Sequence, residues 1–323
     1  MSKLQPPEDF LRELPKVELH CHLDGAVRPS TLYELAGSPG NFEAFSKRVT
    51  VLKPTPLPDV LAAFPIITPL LKTHAALERI AYELVEDRAA ENTRHLEIRF
   101  APTLHATPNF PVDAVIQAIL DGLTRAAREH HVSTGLVICL LRGLPEDQND
   151  EAFEAAKRWF GRGVIGLDLA DYGGDVPTLL FAPKLKAAAA LGIPFTIHAG
   201  ERTGRGDLEA ALTLGASRIG HGTHLGEYPD LLEQFIAKRI PVEICLSSNL
   251  MTSLVPKIEK HPAKQLADAG LPVAFCTDDP GLFGITLTRE LEIAMELGFT
   301  ELDLIRAQKD AAEALFEQQG VPV

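Results

Sequence analysis

His20 and His22 close the apolar run Val17-Glu18-Leu19-His20-Cys21-His22 with one residue between them. A β-strand alternates its side chains between two faces, so both imidazoles point the same way from one strand. His198 closes a second run, Ile193-Pro194-Phe195-Thr196-Ile197-His198, and the carboxylate pair Asp278-Asp279 follows Val273-Ala274-Phe275-Cys276-Thr277. Three imidazole nitrogens and a carboxylate oxygen make a divalent-metal site. Zinc suits these ligands best, while iron, manganese and cobalt stay open. One such set holds one ion per chain, and a position left for water gives hydrolysis, because the metal brings the water's pKa towards ~7. Adjacent strand residues face opposite ways, so one of Asp278 and Asp279 meets the metal and the other the substrate. Asp279 before Pro280 also fits a helix start.

Glu201 lies three residues past His198, beyond a glycine that permits a tight turn. It is placed to serve as a general acid for a ring nitrogen or a leaving group, with a pKa raised by burial. The competing reading is a first-turn helix glutamate held by the helix dipole. His221, in Ile219-Gly220-His221-Gly222, is the candidate to orient or deprotonate the water; its flanking glycines allow close backbone approach. Any of these histidines taken alone could be a hydrogen-bonded core residue. His95-Leu96-Glu97 matches half of a zinc-deaminase signature, but no P-C-x-x-C follows, so it reads as structural.

These groups need a scaffold that gathers strand ends. Eight apolar or β-branched runs centre on Val17–Cys21, Leu96–Phe100, Leu136–Leu141, Val164–Leu169, Pro194–His198, Arg218–His221, Val242–Leu246 and Val273–Cys276. Helix-period segments separate them, clearest over Thr73–Glu91 and Val112–His130, with a later one over Glu151–Phe160. Alternation of this kind predicts an α/β fold, a (β/α)8 TIM barrel whose catalytic groups gather at the carboxyl ends of its strands. The long stretch between the first two strands, with proline-rich Lys53–Pro69, predicts an inserted lid, and Thr300–Gln319 predicts a C-terminal helix. Residues 1–323 show no linker or repeat and are expected to form a single domain.

The chain has 323 residues, 46% of them hydrophobic, enough for a large buried core. Its net charge of −13 argues against a nucleic-acid partner, which needs clustered Lys and Arg, and favours a small molecule. Cys21, Cys139, Cys245 and Cys276 sit in apolar runs and read as reduced thiols. No apolar stretch reaches the ~18 residues that span a bilayer. No secretory h-region is seen near Met1, so the cytoplasm is the expected compartment.

The motifs carry a resemblance. Pro15 to Ala26 (PKVELHCHLDGA), His198-Ala199-Gly200-Glu201, Ile219-Gly220-His221-Gly222 and Thr277-Asp278-Asp279-Pro280 resemble, in order and spacing, four motifs of the adenosine deaminase family of zinc amidohydrolases. The resemblance implies that His20, His22, His198 and Asp278 bind zinc and that Glu201 protonates purine N1. It also implies that His221 and Asp278 hold the attacking hydroxide, that Asp279 meets N7 and Asp24 the ribose hydroxyls, and that Phe64 gates the site. Two departures stand out. Asp171 replaces a family glycine whose amide meets N3, which puts base recognition in question. Arg202 and Arg205 make the loop after Glu201 basic, suited to a phosphate or bulky 5′ group.

The leading expectation is hydrolytic deamination of adenosine or 2′-deoxyadenosine, a small-molecule purine nucleoside. Alternatives are N6-methyl-AMP, aminofutalosine or free adenine as substrate, and a nucleoside-binding barrel that has lost catalysis. A two-metal amidohydrolase fits less well, since no lysine ends the fourth strand.

Overall fold

Each of the eight apolar runs forms a strand in the computed structural model, which describes residues 8–170, 176–201 and 204–316. They are β1 (Lys16–His22), β2 (Thr93–Phe100), β3 (Ser133–Leu141), β4 (Val164–Ala170), β5 (Phe195–Ala199), β6 (Arg218–His221), β7 (Val242–Ile244) and β8 (Val273–Phe275). They pair in parallel in that order. A bridge between Cys21 and Asp278 joins the last to the first: His22 N donates to Asp278 O at 2.7 Å and Asp278 N to His20 O at 2.9 Å. Joining the ends pairs the backbone groups that an open sheet would leave bare near the site. This is the expected TIM barrel, and the bridge sets the residue that follows β8 directly beside the two histidines of β1.

Both faces of these strands are covered, by helices outside and by side chains within, so even charged strand residues such as Glu18, Glu97, Arg99 and Arg218 are buried. The outer ring includes His74–Ala90, Val112–His130, Glu146–Trp159, Ala182–Ala190, Arg205–Leu214, Pro229–Ala237 and Leu287–Glu296. Between β1 and His74 lie the short helices Pro29–Leu35, Phe42–Val49, Leu57–Leu61 and Phe64–Ile67. The expected lid is therefore helical, broken at its prolines. Among the described residues no helix is long and apolar enough to cross a membrane.

Four boundaries differ from expectation, each for a local reason. β7 stops at Ile244 because Ser247 N turns to the carboxylate of Glu290 at 3.2 Å, which starts the helix Leu246–Met251. The helix expected from Glu151 begins at Glu146, where Pro145 and two acidic residues suit a helix start. Arg205 is not in a loop; it opens the helix Arg205–Leu214. The C-terminal helix, Glu301–Glu313, ends short of Gln319, because Ala314 O accepts from Arg218 and Phe316 N donates to Glu97 at 2.7 Å. The chain is thereby drawn into the floor of the barrel.

Candidate active site

At the carboxyl end of the barrel, β1, β5 and the turn after β8 bring His20, His22, His198 and Asp278 together, with ligand atoms all within 4.8 Å of one another. Asp278 Oδ1 lies 3.2 Å from His20 Nε2 and 3.4 Å from His22 Nε2. Spacings of this size suit atoms bound about 2.0–2.1 Å from one shared tetrahedral centre. Among the described residues His20 Nε2 is buried without a hydrogen bond of its own, which suits a lone pair meant for a metal. The donor set fits zinc. Asp278 and His221 both hold left-handed backbone, φ 65° and 66°, an uncommon conformation for residues with side chains and one that clusters at functional sites.

Behind the ligands lies a layer of charges that sequence reasoning missed. Glu243 Oε2 accepts from His20 Nδ1 at 2.9 Å, and Asp168 Oδ1 from His198 Nδ1 at 3.1 Å. Each contact fixes a ring and turns its Nε2 lone pair towards the centre. Arg99 bridges the two carboxylates, at 3.2 Å to Asp168 and 3.0 Å to Glu243, and Arg218 links Glu243 to Glu97 at 2.7 and 2.5 Å. All five are fully buried. Burial alone would push Glu243 up, but the two guanidiniums hold it well below the usual carboxylate range. The signal was there to read: single charges inside apolar strand runs, as in Val242-Glu243-Ile244 and Leu167-Asp168-Leu169, are almost always paired.

Glu201 and His221 face each other across the site, 3.9 Å apart and both buried. Arg142 Nη2 donates to His198 O at 2.8 Å and so braces the strand end that carries His198 and Glu201. Asp278 Oδ2 accepts from Ser248 Oγ at 2.6 Å. Burial first, then the charge of Asp278, raises the Asp279 carboxyl well above its ordinary value, which favours a neutral carboxyl able to donate a hydrogen bond. Among the described residues its Oδ1 has no hydrogen-bond partner.

A pocket of about 660 Å³, open to solvent, rises from this floor. Asp24 stands in its wall with Oδ2 3.5 Å from Nε2 of buried His105, and Leu57, Leu61 and Phe64 of the inserted helices form its apolar roof. Ten of the twelve sequence candidates are described, and nine of them converge here. Arg205 does not: its guanidinium is taken by Glu209 at 2.6 Å and Asp230 at 2.9 Å, on the exposed outside. Asp171 and Arg202 lie outside the described residues. His95 sits at the amino end of β2, 3.7 Å from Glu97 and at the opposite end of the barrel.

With this geometry in hand, comparisons with known proteins point one way. The family model described as adenosine deaminase matches residues 15–320. An adenosine deaminase of Shewanella halifaxensis (strain HAW-EB4) is 34% identical over 320 residues, covering 96% of each chain. An amidohydrolase from Burkholderia ambifaria with bound zinc superposes with TM-score 0.88 at 28% identity, covering 98% of this chain and 91% of that one. The N6-methyl-AMP deaminase of Arabidopsis thaliana gives TM-score 0.84 at 29% identity, covering 96% and 94%. A metal-ligand cluster at the carboxyl end of a TIM barrel, beside a buried glutamate and histidine, thus coincides with a match over nearly the whole chain, and the protein belongs to the adenosine deaminase family.

Proposed function

We propose that the protein is a zinc hydrolase that converts adenosine or 2′-deoxyadenosine to the 6-oxo nucleoside and ammonia. The observation that carries this reading is the buried Glu201–His221 pair facing the His20, His22, His198 and Asp278 cluster. Hydrolytic loss of an amine from a purine needs a proton at N1, a water at C6 and a dry enclosure. The metal, when bound by those four residues, supplies Lewis acidity that makes water a nucleophile near neutral pH.

The chain's own residues supply the rest. Glu201 gives a proton to ring N1 as C6 becomes tetrahedral, which draws electrons from the carbon under attack. His221 orients the attacking water. Asp279, whose carboxyl is favoured in its neutral form, donates to N7 and sets the face of the purine. Asp24, with His105 behind it, meets the ribose hydroxyls. Leu57, Leu61 and Phe64 exclude bulk water over the base, which strengthens every polar contact beneath. A binding protein without catalysis would have no use for a buried glutamate aimed at a metal site, so Glu201 weighs against the inactive reading.

One observation bears on the nucleotide alternative suggested by the N6-methyl-AMP deaminase. Among the described residues the pocket lining contains no Lys or Arg, and Arg205 is occupied elsewhere. A 5′-phosphate needs cationic donors, so the nucleoside is favoured. The test is a panel of adenosine, 2′-deoxyadenosine, AMP, N6-methyl-AMP, aminofutalosine and adenine, followed by loss of ultraviolet absorbance and release of amine. Adenosine or deoxyadenosine should give the highest kcat/KM; a nucleotide in first place overturns the reading.

A further inference from the structure

A chain of buried polar groups runs from His221 away from the metal cluster, and its further members, Asn249 and His261, have no part in the scheme above. His221 Nδ1 lies 3.1 Å from Asn249 Nδ2, Asn249 Oδ1 lies 3.0 Å from His261 Nε2, and Ala263 N lies 3.1 Å from His261 Nδ1. His221, Asn249 and His261 are 1%, 0% and 6% exposed, so water does not compete for these contacts. We propose that Asn249 and His261 lock the tautomer of His221 with its proton on Nε2, so that His221 meets the reacting centre as a hydrogen-bond donor and not as a base. The consequence for catalysis rests on the deaminase reading; the lock itself rests on geometry alone.

The polarity of the chain is set at its far end. A backbone N–H can only donate, so the contact from Ala263 N makes His261 Nδ1 an acceptor, without a proton. A neutral imidazole carries one proton, which His261 must then hold on Nε2, facing Asn249 Oδ1. Burial lowers the His261 pKa to about 4, in keeping with a neutral ring. Once Asn249 gives its oxygen to His261, its NH2 faces His221, so His221 Nδ1 also accepts. The His221 proton is left on Nε2, the nitrogen that faces Glu201 Oε1 at 3.9 Å. Turning the Asn249 amide over would bring its NH2 against His261 Nε2–H, donor to donor, in a place no water reaches.

A histidine whose Nε2 already carries a proton cannot take one from water through that nitrogen. His221 instead directs an N–H at the oxygen that attacks C6 and holds it as charge grows there. The proton given up by the water is left to the Asp278 carboxylate, while Glu201 holds the proton that goes to N1. Asn249 and His261 touch neither metal nor purine; they are positioning residues acting through His221. The helix Leu246–Met251, which carries Asn249, exists because β7 stops early, so the short strand and the lock are parts of one arrangement.

The test is a long-range 1H–15N correlation spectrum of the zinc-loaded protein with labelled histidines, the His221 signals being assigned from their loss in His221→Asn. Wild-type protein should show His221 and His261 both protonated at Nε2. Asn249→Asp offers His221 only an acceptor, so it should move the proton to Nδ1 and cut kcat by at least about a hundredfold, with zinc content and KM little changed. His261→Leu frees the amide and should give mixed tautomers and a smaller loss. His261→Gln restores an N–H towards Asn249 and should recover most of what His261→Leu loses. A wild-type His221 protonated at Nδ1 overturns the lock without any variant, and so does an unchanged tautomer in both Asn249→Asp and His261→Leu. A protein with the expected spectrum and no activity on any 6-aminopurine would leave the lock standing and overturn the functional reading instead.

Discussion

The carboxylate of Asp279 occupies the space that a side chain on residue 25 would need: a Cβ built on Gly25 falls 1.6 Å from Asp279 Oδ1. Gly25 follows Asp24 on the chain, so the turn that presents one pocket carboxylate also makes room for another. Gly25→Ala should push Asp279 out of line with the base while leaving the metal ligands untouched. We expect zinc content to persist and kcat/KM for adenosine to fall by roughly ten- to a hundredfold, the loss expected when a hydrogen bond to a buried group is misaligned. Unchanged kinetics would show that Asp279 has room to move or that it does not read the purine.

Removing a ligand should have a harsher outcome. His198→Ala leaves three donors and takes the ring partner from Asp168 Oδ1, so both metal and turnover should be lost. Elemental analysis of wild-type protein should give about one zinc per chain. Two equivalents, or full activity without metal, would rule out the single-ion site.

Glu201→Gln separates chemistry from binding. The variant keeps its shape and an N–H donor but cannot release a proton to N1. Zinc content and KM should stay near wild type while kcat drops by about two orders of magnitude or more. Steady-state kinetics on the zinc-loaded variant settle it, and retention of most of kcat would place the proton source elsewhere.

Asp24 and His105 make a prediction about substrate size. A site built to bind ribose hydroxyls leaves buried polar groups unpaired when the sugar is absent. Adenosine should therefore exceed adenine in kcat/KM by roughly three or more orders of magnitude, and Asp24→Ala should narrow that gap by damaging adenosine alone. If both substrates suffer equally from Asp24→Ala, its contact is with the base or the metal site and not with ribose.

Glu290 should make stability depend on pH. Burial raises its carboxyl from 4.5 to about 8, while Ser247 N donates to it. The native state therefore holds a proton that the unfolded chain releases near 4.5. The stabilisation is complete below that value and is lost as pH rises towards about 8. Glu290→Gln keeps the carbonyl acceptor and has no proton to lose. In urea unfolding, the variant's stability relative to wild type should improve between about pH 5 and about pH 9 by on the order of 3 kcal/mol. A difference that does not change with pH would mean that Glu290 is ionised at both ends of the range.

The barrel and the metal cluster were legible because two simple rules act locally. Period-two alternation sends His20 and His22 the same way, and the barrel places strand ends together, so His198 and one of the Asp278-Asp279 pair could be set beside them from the pattern, the resemblance choosing Asp278. The charges beneath were harder to place, since Glu243 makes sense only with Arg99 from β2 and Arg218 from β6, partners that no local pattern connects. Arg205 was misplaced for a related reason. Its charge suggested an anion, but its partner Asp230 lies 25 residues on, on the next helix of the ring. His261 passed unnoticed because a histidine after a turn carries no periodic signal, and its role depends on where Asn249 points.

The way residues 314 to 316 enter the barrel floor has a consequence for how the molecule is made. A growing chain possesses all four ligands once Asp278 has been synthesised. At that moment Glu97 still lacks the N–H of Phe316, and Arg218 lacks both the Ala314 carbonyl and the Phe316 ring, 3.6 Å from its guanidinium. Arg218, itself held by Glu97, is with Arg99 one of the two guanidiniums on Glu243, and Glu243 orients His20. Translation order thus separates possession of the candidate ligands from completion of the layer beneath them, and a chain made only as far as Asp278 lacks part of what holds Glu243 against His20.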